Sequence, residues 1–176
     1  LAATRLPGKP LLKINGLSII SHVFKRAEKA KIGDVLVATE NQEIVDDVKK
    51  NGGEAIMTSN NHQTGTDRIY EVIKKLNRTD VELVMNLQGD EPLINPKSID
   101  VIINSLIKKI PEDFSVSTGY EETTVKQEKK KTVNFIVKSK TSKLLLISRS
   151  EIPSNYKKKE KRLLHIGLFA FTKKAL

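Results

Sequence analysis

Short, continuous apolar runs alternate with helix-like segments through the first 110 residues, and this alternation most restricts the folds open to the chain. Runs at 35–38, 55–57 and 83–87 have the length and composition of strands buried on both faces. Apolar residues at helical spacing predict helices that begin after Ser18, near Gln42, after Gly65 and near Pro96. This order predicts an α/β fold with a mostly parallel central sheet, in which ligands bind beyond the carboxyl ends of the strands.

The sequence becomes strand-rich after Pro111. Strands are predicted at 115–120, 133–137, 144–148 and 165–171, separated by polar, lysine-rich connections. We interpret residues 1–176 as a single domain with an α/β half (1–110) and a strand-rich half (111–176). The chain begins at Leu1 without a methionine, and its first loop has no strand before it. We therefore expect this domain to be truncated at both ends.

The composition excludes several classes of function. The chain has no cysteine, which removes disulfides, thiol nucleophiles and cysteine-ligated zinc and is compatible with a reducing cytoplasm. No apolar run reaches the length of a membrane span, so no membrane partner is expected. The net charge of +10 invites a nucleic-acid interpretation, but the lysines are spread along the chain and aromatic residues, at 5%, are not interleaved with them. The densest basic cluster, 157–162, is predicted to be a solvated loop, and we expect no nucleic-acid partner.

A basic turn, Thr4–Pro10, precedes the first helix-like segment. Its Pro-Gly pair allows a tight bend without a bulky side chain, so that a ligand can approach the backbone. Arg5 and Lys9 flank this bend and are suited to neutralise a polyphosphate. An ordinary basic surface turn is the alternative interpretation, because the segment lacks the pattern of a Walker-type loop.

A second polar segment, Gln88–Pro92, directly follows the predicted strand at 83–87. Its glycine is expected to let the chain turn sharply at the edge of the sheet. Asp90 supplies the hard carboxylate oxygen that Mg²⁺ prefers, and Gln88 offers both a donor and an acceptor to the edge of a base. The alternative is a strand-terminating turn capped by the aspartate.

Two further segments contain candidate binding residues. In His62–Arg68, either Thr64 or Thr66 is expected to cap the third helix, and amides at its start would suit an anion or a base edge. Arg68 is unfavourable near a helix N-terminus unless an anion neutralises it, which favours a binding role. Arg149 ends a strand where an anionic partner would suit it, whereas a lone His165 at a strand start is as readily structural.

Together these segments resemble the 3-deoxy-manno-octulosonate (KDO) cytidylyltransferases, or CMP-KDO synthetases, in the sequences TRLPGKPL, HQTGTDR, NLQGDEPLI, SRSEIP and HIGL. The resemblance covers essentially the whole chain. It implies a Rossmann-like nucleotidyltransferase fold and a homodimeric, cytoplasmic enzyme that joins CTP to KDO for lipopolysaccharide synthesis, with Mg²⁺ as cofactor. It also implies nucleotide binding in the α/β half, and sugar binding and dimerisation in the strand-rich half. The implied roles are the following: Arg5 and Lys9 on the triphosphate, Thr66, Arg68 and Gln88 on the cytidine, Asp90 on the metal, Lys9 and Asp90 in catalysis, and Arg149 and His165 on the sugar.

Two alternatives remain at this level. The first is a cytidylyltransferase for another acidic sugar, of the nine-carbon sialic type or an 8-amino analogue of KDO, because Asn134 and Phe169 depart from the family pattern near the expected sugar pocket. The second is a nucleotide-binding homologue with weakened catalysis. A test of CTP turnover with several sugar acids separates these alternatives.

Overall fold

The computed structural model describes residues 8–123, 134–149 and 162–176. The chain divides into two compact units, one formed by Leu1–Ser117 with Phe169–Leu176 and the other by Thr118–Leu168. The helices are α1 (Ile19–Glu28), α2 (Gln42–Lys50), α3 (Gly65–Leu76) and α4 (Pro96–Lys109). The strands are β1 (Lys13–Ile14), β2 (Leu17–Ser18), β3 (Leu36–Thr39), β4 (Glu54–Met57), β5 (Leu83–Asn86), β6 (Val116–Thr123), β7 (Phe135–Lys138), β8 (Leu144–Ser148) and β9 (Arg162–Thr172).

All four helices begin where the sequence predicts them. Each is preceded by a polar side chain that accepts a hydrogen bond from an amide of the first turn, which satisfies one donor left open by helix geometry. Pro96 occupies the first turn of α4, where its missing N–H is not needed. The capping residues are Ser18, Asn41, Thr64 and Asn95.

A small hairpin that the sequence analysis did not identify joins the basic turn to α1. Strands β1 and β2 pair antiparallel across Asn15-Gly16, both of which have positive φ, at 50° and 81°. An Asn-Gly pair is the strongest short-range signal for such a two-residue turn. The hairpin brings the chain from Lys9 to the cap of α1.

The core of the first unit lies under the apolar faces of its helices. Close packing extends to Gly53, at which an added Cβ would lie 2.8 Å from side-chain atoms of both Phe24 and Val48. Side chains from α1 and α4 contribute most of the buried apolar residues: Ile19, Ile20, Val23, Phe24 and Ala27 from α1, and Ile99, Ile102, Ile103 and Leu106 from α4.

The strand pairing of the first unit is mixed. Strands β3 and β4 are parallel, with Leu36 opposite Glu54 and Thr39 opposite Met57. Strand β5 pairs antiparallel with the end of β9, where Asn86 lies opposite Phe169. The predicted α/β class is confirmed. The central sheet was expected to be mostly parallel, and the described strands instead form one parallel pair beside antiparallel ones.

The second unit is built of strands, as predicted for this part of the sequence. Strand β7 pairs antiparallel with β8 and with β9, where Phe135 lies opposite Leu164. Strand β6 also pairs with β9 and extends to Thr123, beyond its predicted end. The basic cluster expected at 157–162 lies outside the described residues except for Arg162. Within the described ranges, no helix is both long and apolar enough to cross a membrane.

Candidate active site

Lys9 and Asp90, the two residues predicted to take part in catalysis, are in contact. Lys9 Nζ lies 2.6 Å from Asp90 Oδ2, and the two side chains keep 34% and 45% of their surface exposed. Lys9 follows Gly8, whose φ of 69° lies in the left-handed region that favours glycine. An exposed ion pair contributes at most about 1 kcal/mol to stability. A polyphosphate can therefore replace this contact at little cost. Arg5, the other predicted triphosphate residue, lies outside the described residues.

The loop that carries Asp90 packs closely on α1. Gly89 and Asp90 lie in a turn, as the sequence predicted, although the turn does not require positive φ at the glycine. A Cβ at Gly89 would also lie 2.9 Å from Ile20 Cδ1, so the absence of a side chain lets the turn pack closely on the helix. Arg26 Nη1 of the same helix donates to the carbonyl of Ile94 at 3.3 Å. Helix α1 thus supports the loop at both ends, and Gln88 is left exposed beside Asp90.

The N-terminus of α3 is closed by a reciprocal capping interaction. Thr64 Oγ1 accepts from the amide of Asp67, and the Asp67 carboxylate accepts from the amide of Thr64. Of the two threonines considered, Thr64 is therefore the cap. Thr66 lies in the first turn of the helix and is partly exposed, a position compatible with its predicted contact to a nucleotide.

Arg68 has a partner within the chain. Its side chain is 7% exposed and forms an ion pair with Glu40, which directly follows β3. The same guanidinium donates to Thr58 Oγ1 and to the carbonyl of Ser59. The sequence argument assigned Arg68 to a nucleotide because a cation near a helix N-terminus requires an anion. Glu40 is that anion, so the argument no longer requires a ligand.

Glu71, one turn further along α3, collects three donors. It accepts from the amide of Ser59 at 2.9 Å, from His62 Nε2, and from Lys75 Nζ at 2.6 Å. Hydrogen bonds from Lys75, His62 and the Ser59 amide hold the pKa of Glu71 at about 2, well below its ordinary value of 4.5. The carboxylate is therefore charged at every pH at which the protein is expected to work.

The predicted sugar-binding residues both belong to the second unit. Thr118 Oγ1 donates to the carbonyl of Leu168, so its oxygen accepts from His165 Nε2 at 2.8 Å. This contact assigns the ring proton to Nε2. Burial lowers the pKa of His165 and favours its neutral form. The backbone amide of His165 donates to the carbonyl of Asn134 at 2.8 Å, and Arg149 is exposed directly after β8.

Sequence reasoning missed Glu40 and Glu71. Glu40 follows the parallel strand β3 at its carboxyl end, and the same rule that selected Asp90 would have selected it. Glu71 is three residues beyond Arg68, the spacing that places two side chains on one face of a helix. Both signals were present in the sequence.

Comparison with known proteins finds cytidylyltransferases that are named for two related sugar acids. A family model described as Cytidylyltransferase matches residues 1–176. The chain is 38% identical over 179 residues to the 3-deoxy-manno-octulosonate cytidylyltransferase of Rhodopseudomonas palustris (strain BisB18), with 100% of this chain and 72% of the relative covered. It is 40% identical over 175 residues to the 8-amino-3,8-dideoxy-manno-octulosonate cytidylyltransferase of Shewanella frigidimarina (strain NCIMB 400), with 98% and 71% covered.

A solved structure extends this similarity to the fold. The CMP:2-keto-3-deoxy-manno-octonic acid synthetase complexed with CTP superposes with a TM-score of 0.85 at 34% sequence identity. The match covers 97% of this chain and 69% of the solved one. The described chain and that enzyme therefore have the same nucleotidyltransferase fold.

Proposed function

The chain belongs to the cytidylyltransferase family, and on this premise we propose that it transfers a cytidylyl group from CTP to 3-deoxy-manno-octulosonate. Relatives that are 38% identical over the full chain carry this activity in their names. A structure of the same fold is a complex with CTP. The products are the CMP-sugar and pyrophosphate.

The chemistry requires positioning and neutralisation of charge. The oxygen of the anomeric hydroxyl attacks the α-phosphorus of CTP, and the new P–O bond joins CMP to the sugar. The bond to the β-phosphate breaks, pyrophosphate leaves with the electron pair, and the hydroxyl proton passes to water. Transfers of this kind are accelerated mainly by groups that align the reactants and stabilise charge on the phosphate oxygens.

The exposed ion pair between Lys9 and Asp90 is the observation that carries the proposal. It places a cation and a carboxylate 2.6 Å apart, at the basic turn and at the carboxyl end of β5, and leaves both in reach of solvent. We assign Lys9 to the triphosphate, because its ammonium can exchange one anionic partner for another. We keep Arg5 as its proposed companion, on the family resemblance.

We propose Mg²⁺ as the cofactor and Asp90 as its protein ligand. Within the described residues, no group of three or more histidine or acidic side chains is arranged for a metal ion. The proposal rests on the single carboxylate of Asp90, because magnesium usually takes one or two protein carboxylates and completes its shell with water and substrate phosphates. When bound, the ion neutralises negative charge on the triphosphate.

The remaining residues are assigned to the two substrates. We propose that Gln88 and Thr66 contact the cytidine, and that Arg149 and His165 contact the sugar acid. We reassign Arg68 to holding the segment before α3, since its guanidinium is buried and paired with Glu40. On the family resemblance, the same proposal includes a homodimer as the working form, the cytoplasm as the location and lipopolysaccharide synthesis as the use of the product.

Pyrophosphate release tests the proposal. We expect the purified protein, with CTP and Mg²⁺, to release pyrophosphate when KDO is supplied. Asp90→Asn is expected to lower the rate by about 100-fold or more, the size of effect seen when a group that stabilises transition-state charge is lost. Asp113→Asn is the matched control, because Asp113 is an exposed aspartate at positive φ, where asparagine is tolerated. An unchanged rate in Asp90→Asn would mean that Asp90 is not the ligand of the metal ion.

An 8-amino analogue of KDO is the second candidate substrate. The observation that favours it is the 40% identity to a cytidylyltransferase named for that sugar. Supplying KDO, 8-amino-KDO and a nine-carbon sialic-type acid in parallel decides between them. Turnover of the amino sugar alone would identify it, and not KDO, as the substrate. The absence of turnover with any of the three acids would overturn the enzymatic proposal.

A further inference from the structure

Three charged residues form a stripe along one face of α3. Arg68, Glu71 and Lys75 follow one another at spacings of three and four, which place their side chains in one row on a helix. We call them the charged stripe. They alternate in sign, and Glu71 forms an ion pair with Lys75 at 2.6 Å. A solvated helix face often carries such pairs, but the stripe makes further contacts that a solvated face would not.

The stripe contacts the chain where it leaves β4. Lys75 Nζ donates to the carbonyl of Met57 at 2.8 Å. Glu71 accepts from the amide of Ser59 at 2.9 Å, and Arg68 Nη1 donates to the carbonyl of Ser59 at 3.1 Å. Both polar groups of the Ser59 backbone are therefore bonded to side chains of α3.

These contacts fix the connecting segment, residues 58–64, against the helix that follows it. Arg68 also bonds Thr58 Oγ1, and Glu71 also bonds His62. Ordering a flexible segment costs conformational entropy for every residue that becomes fixed. A segment that is already ordered imposes no such cost when a ligand binds, which increases affinity by pre-organisation. The segment leaves the carboxyl end of the parallel strand β4, where ligands of such sheets bind, and leads to Thr66.

We propose that Glu71 is a positioning residue of the nucleotide site, which holds the connecting segment so that Thr66 meets the nucleotide in a preformed geometry. The inference rests on the proposed function, because it assigns the nucleotide to this part of the first unit. Glu71 occupies the middle of the stripe and is the residue that contacts both Ser59 and His62 as well as Lys75. Its low pKa agrees with a permanent link, present at neutral pH.

The test uses titration calorimetry, without sugar, to compare CTP binding by the unaltered protein with that of two Glu71 variants and one control variant. Glu71→Ala is expected to weaken CTP binding about tenfold, which corresponds to the loss of about one charge-assisted hydrogen bond. Glu71→Gln keeps one acceptor and should weaken it about threefold. Glu28→Gln is the matched control and should bind CTP as the unaltered protein does, because Glu28 is an exposed glutamate at the end of α1 whose side chain forms no hydrogen bond or ion pair within the described residues.

Two further measurements separate positioning from general stability. Steady-state kinetics should show a raised KM for CTP, with kcat and the KM for the sugar acid within about twofold of the unaltered protein. Hydrogen exchange should become faster at the Ser59 amide in Glu71→Ala, while the amides of α1 keep their protection. If Glu71→Ala does not fold, Lys75→Met removes a single partner of Glu71 and should still weaken CTP binding about threefold.

The outcomes are distinct. Unchanged CTP affinity in the Glu71 variants overturns the inference and leaves the proposed function intact. An equal loss of CTP and sugar affinity also overturns it, since a general loss of structure affects both substrates. Failure of the unaltered protein to bind CTP contradicts the proposed function itself, and the inference with it.

Discussion

Two ionic contacts of the first unit lie at the carboxyl ends of strands, and they differ in burial and in number of partners. The Lys9–Asp90 pair is a single contact between side chains that are 34% and 45% exposed. The Arg68 side chain is 7% exposed, and its guanidinium contacts Glu40, Thr58 and Ser59. Breaking the first contact therefore costs little, whereas breaking the second removes the guanidinium that pairs with Glu40, whose side chain is only 23% exposed.

This difference separates a binding role from a supporting one. A residue that must exchange its partner for a substrate has to hold that partner weakly, as Lys9 does. A residue that keeps a segment in place has to be costly to displace, as Arg68 is. The sequence motifs predict nucleotide binding for both Lys9 and Arg68, because both are cations in segments that resemble a nucleotide site. Burial and the partner distinguish them.

The largest expected effect follows from removing the buried cation. Arg68→Met should lower the free energy of unfolding by about 3 kcal/mol, since Glu40 would lose its ion-pair partner and Ser59 a donor. Lys9→Met should lower it by less than about 1 kcal/mol, because its pair is exposed. Urea denaturation followed by circular dichroism measures both. Equal losses in the two variants would remove the distinction between the contacts.

A smaller effect is expected from the contacts of Glu71 when the free energy of unfolding is measured at low pH. The pKa of Glu71 is about 2 in the folded protein and ordinarily 4.5, so its carboxylate stabilises the fold above the ordinary value. That stabilisation is lost progressively as the pH falls from 4.5 towards 2. Glu71→Gln should therefore show a weaker decrease of unfolding free energy between pH 5 and pH 3 than the unaltered protein. Parallel pH curves for the two proteins would mean that Glu71 gains nothing from its donors.

Local patterns in the sequence were sufficient to predict much of the fold. The starts of all four helices follow from caps and periodicity, and β4 and β5 follow from short apolar runs flanked by polar residues. The pairing of β5 with β9 could not be predicted, because it joins residues more than eighty positions apart and no local pattern specifies the partner. An antiparallel strand buried between elements has the same apolar composition as a parallel one.

The candidate site was predicted only in part, because local sequence patterns do not specify contacts between distant residues. Lys9 and Asp90 were selected by motif, and their contact across 81 positions shows that the two motifs meet. Arg68 was selected because a cation near a helix N-terminus requires a neutralising anion. Its partner Glu40 lies 28 positions away, and sequence spacing does not indicate a contact over that separation. Helical spacing alone would have placed Glu71 on the same face of α3 as Arg68. Its hydrogen bond with Ser59 depends on how the connecting segment folds back against the helix.

CTP binding to Lys9→Met, measured by titration calorimetry, tests the central claim most directly. If the exposed pair is where the triphosphate binds, this variant should bind CTP at least about tenfold more weakly, by the loss of one charge-assisted contact. Its free energy of unfolding should remain within about 1 kcal/mol of that of the unaltered protein. Undiminished CTP affinity in a folded Lys9→Met variant would contradict the account and place the triphosphate elsewhere.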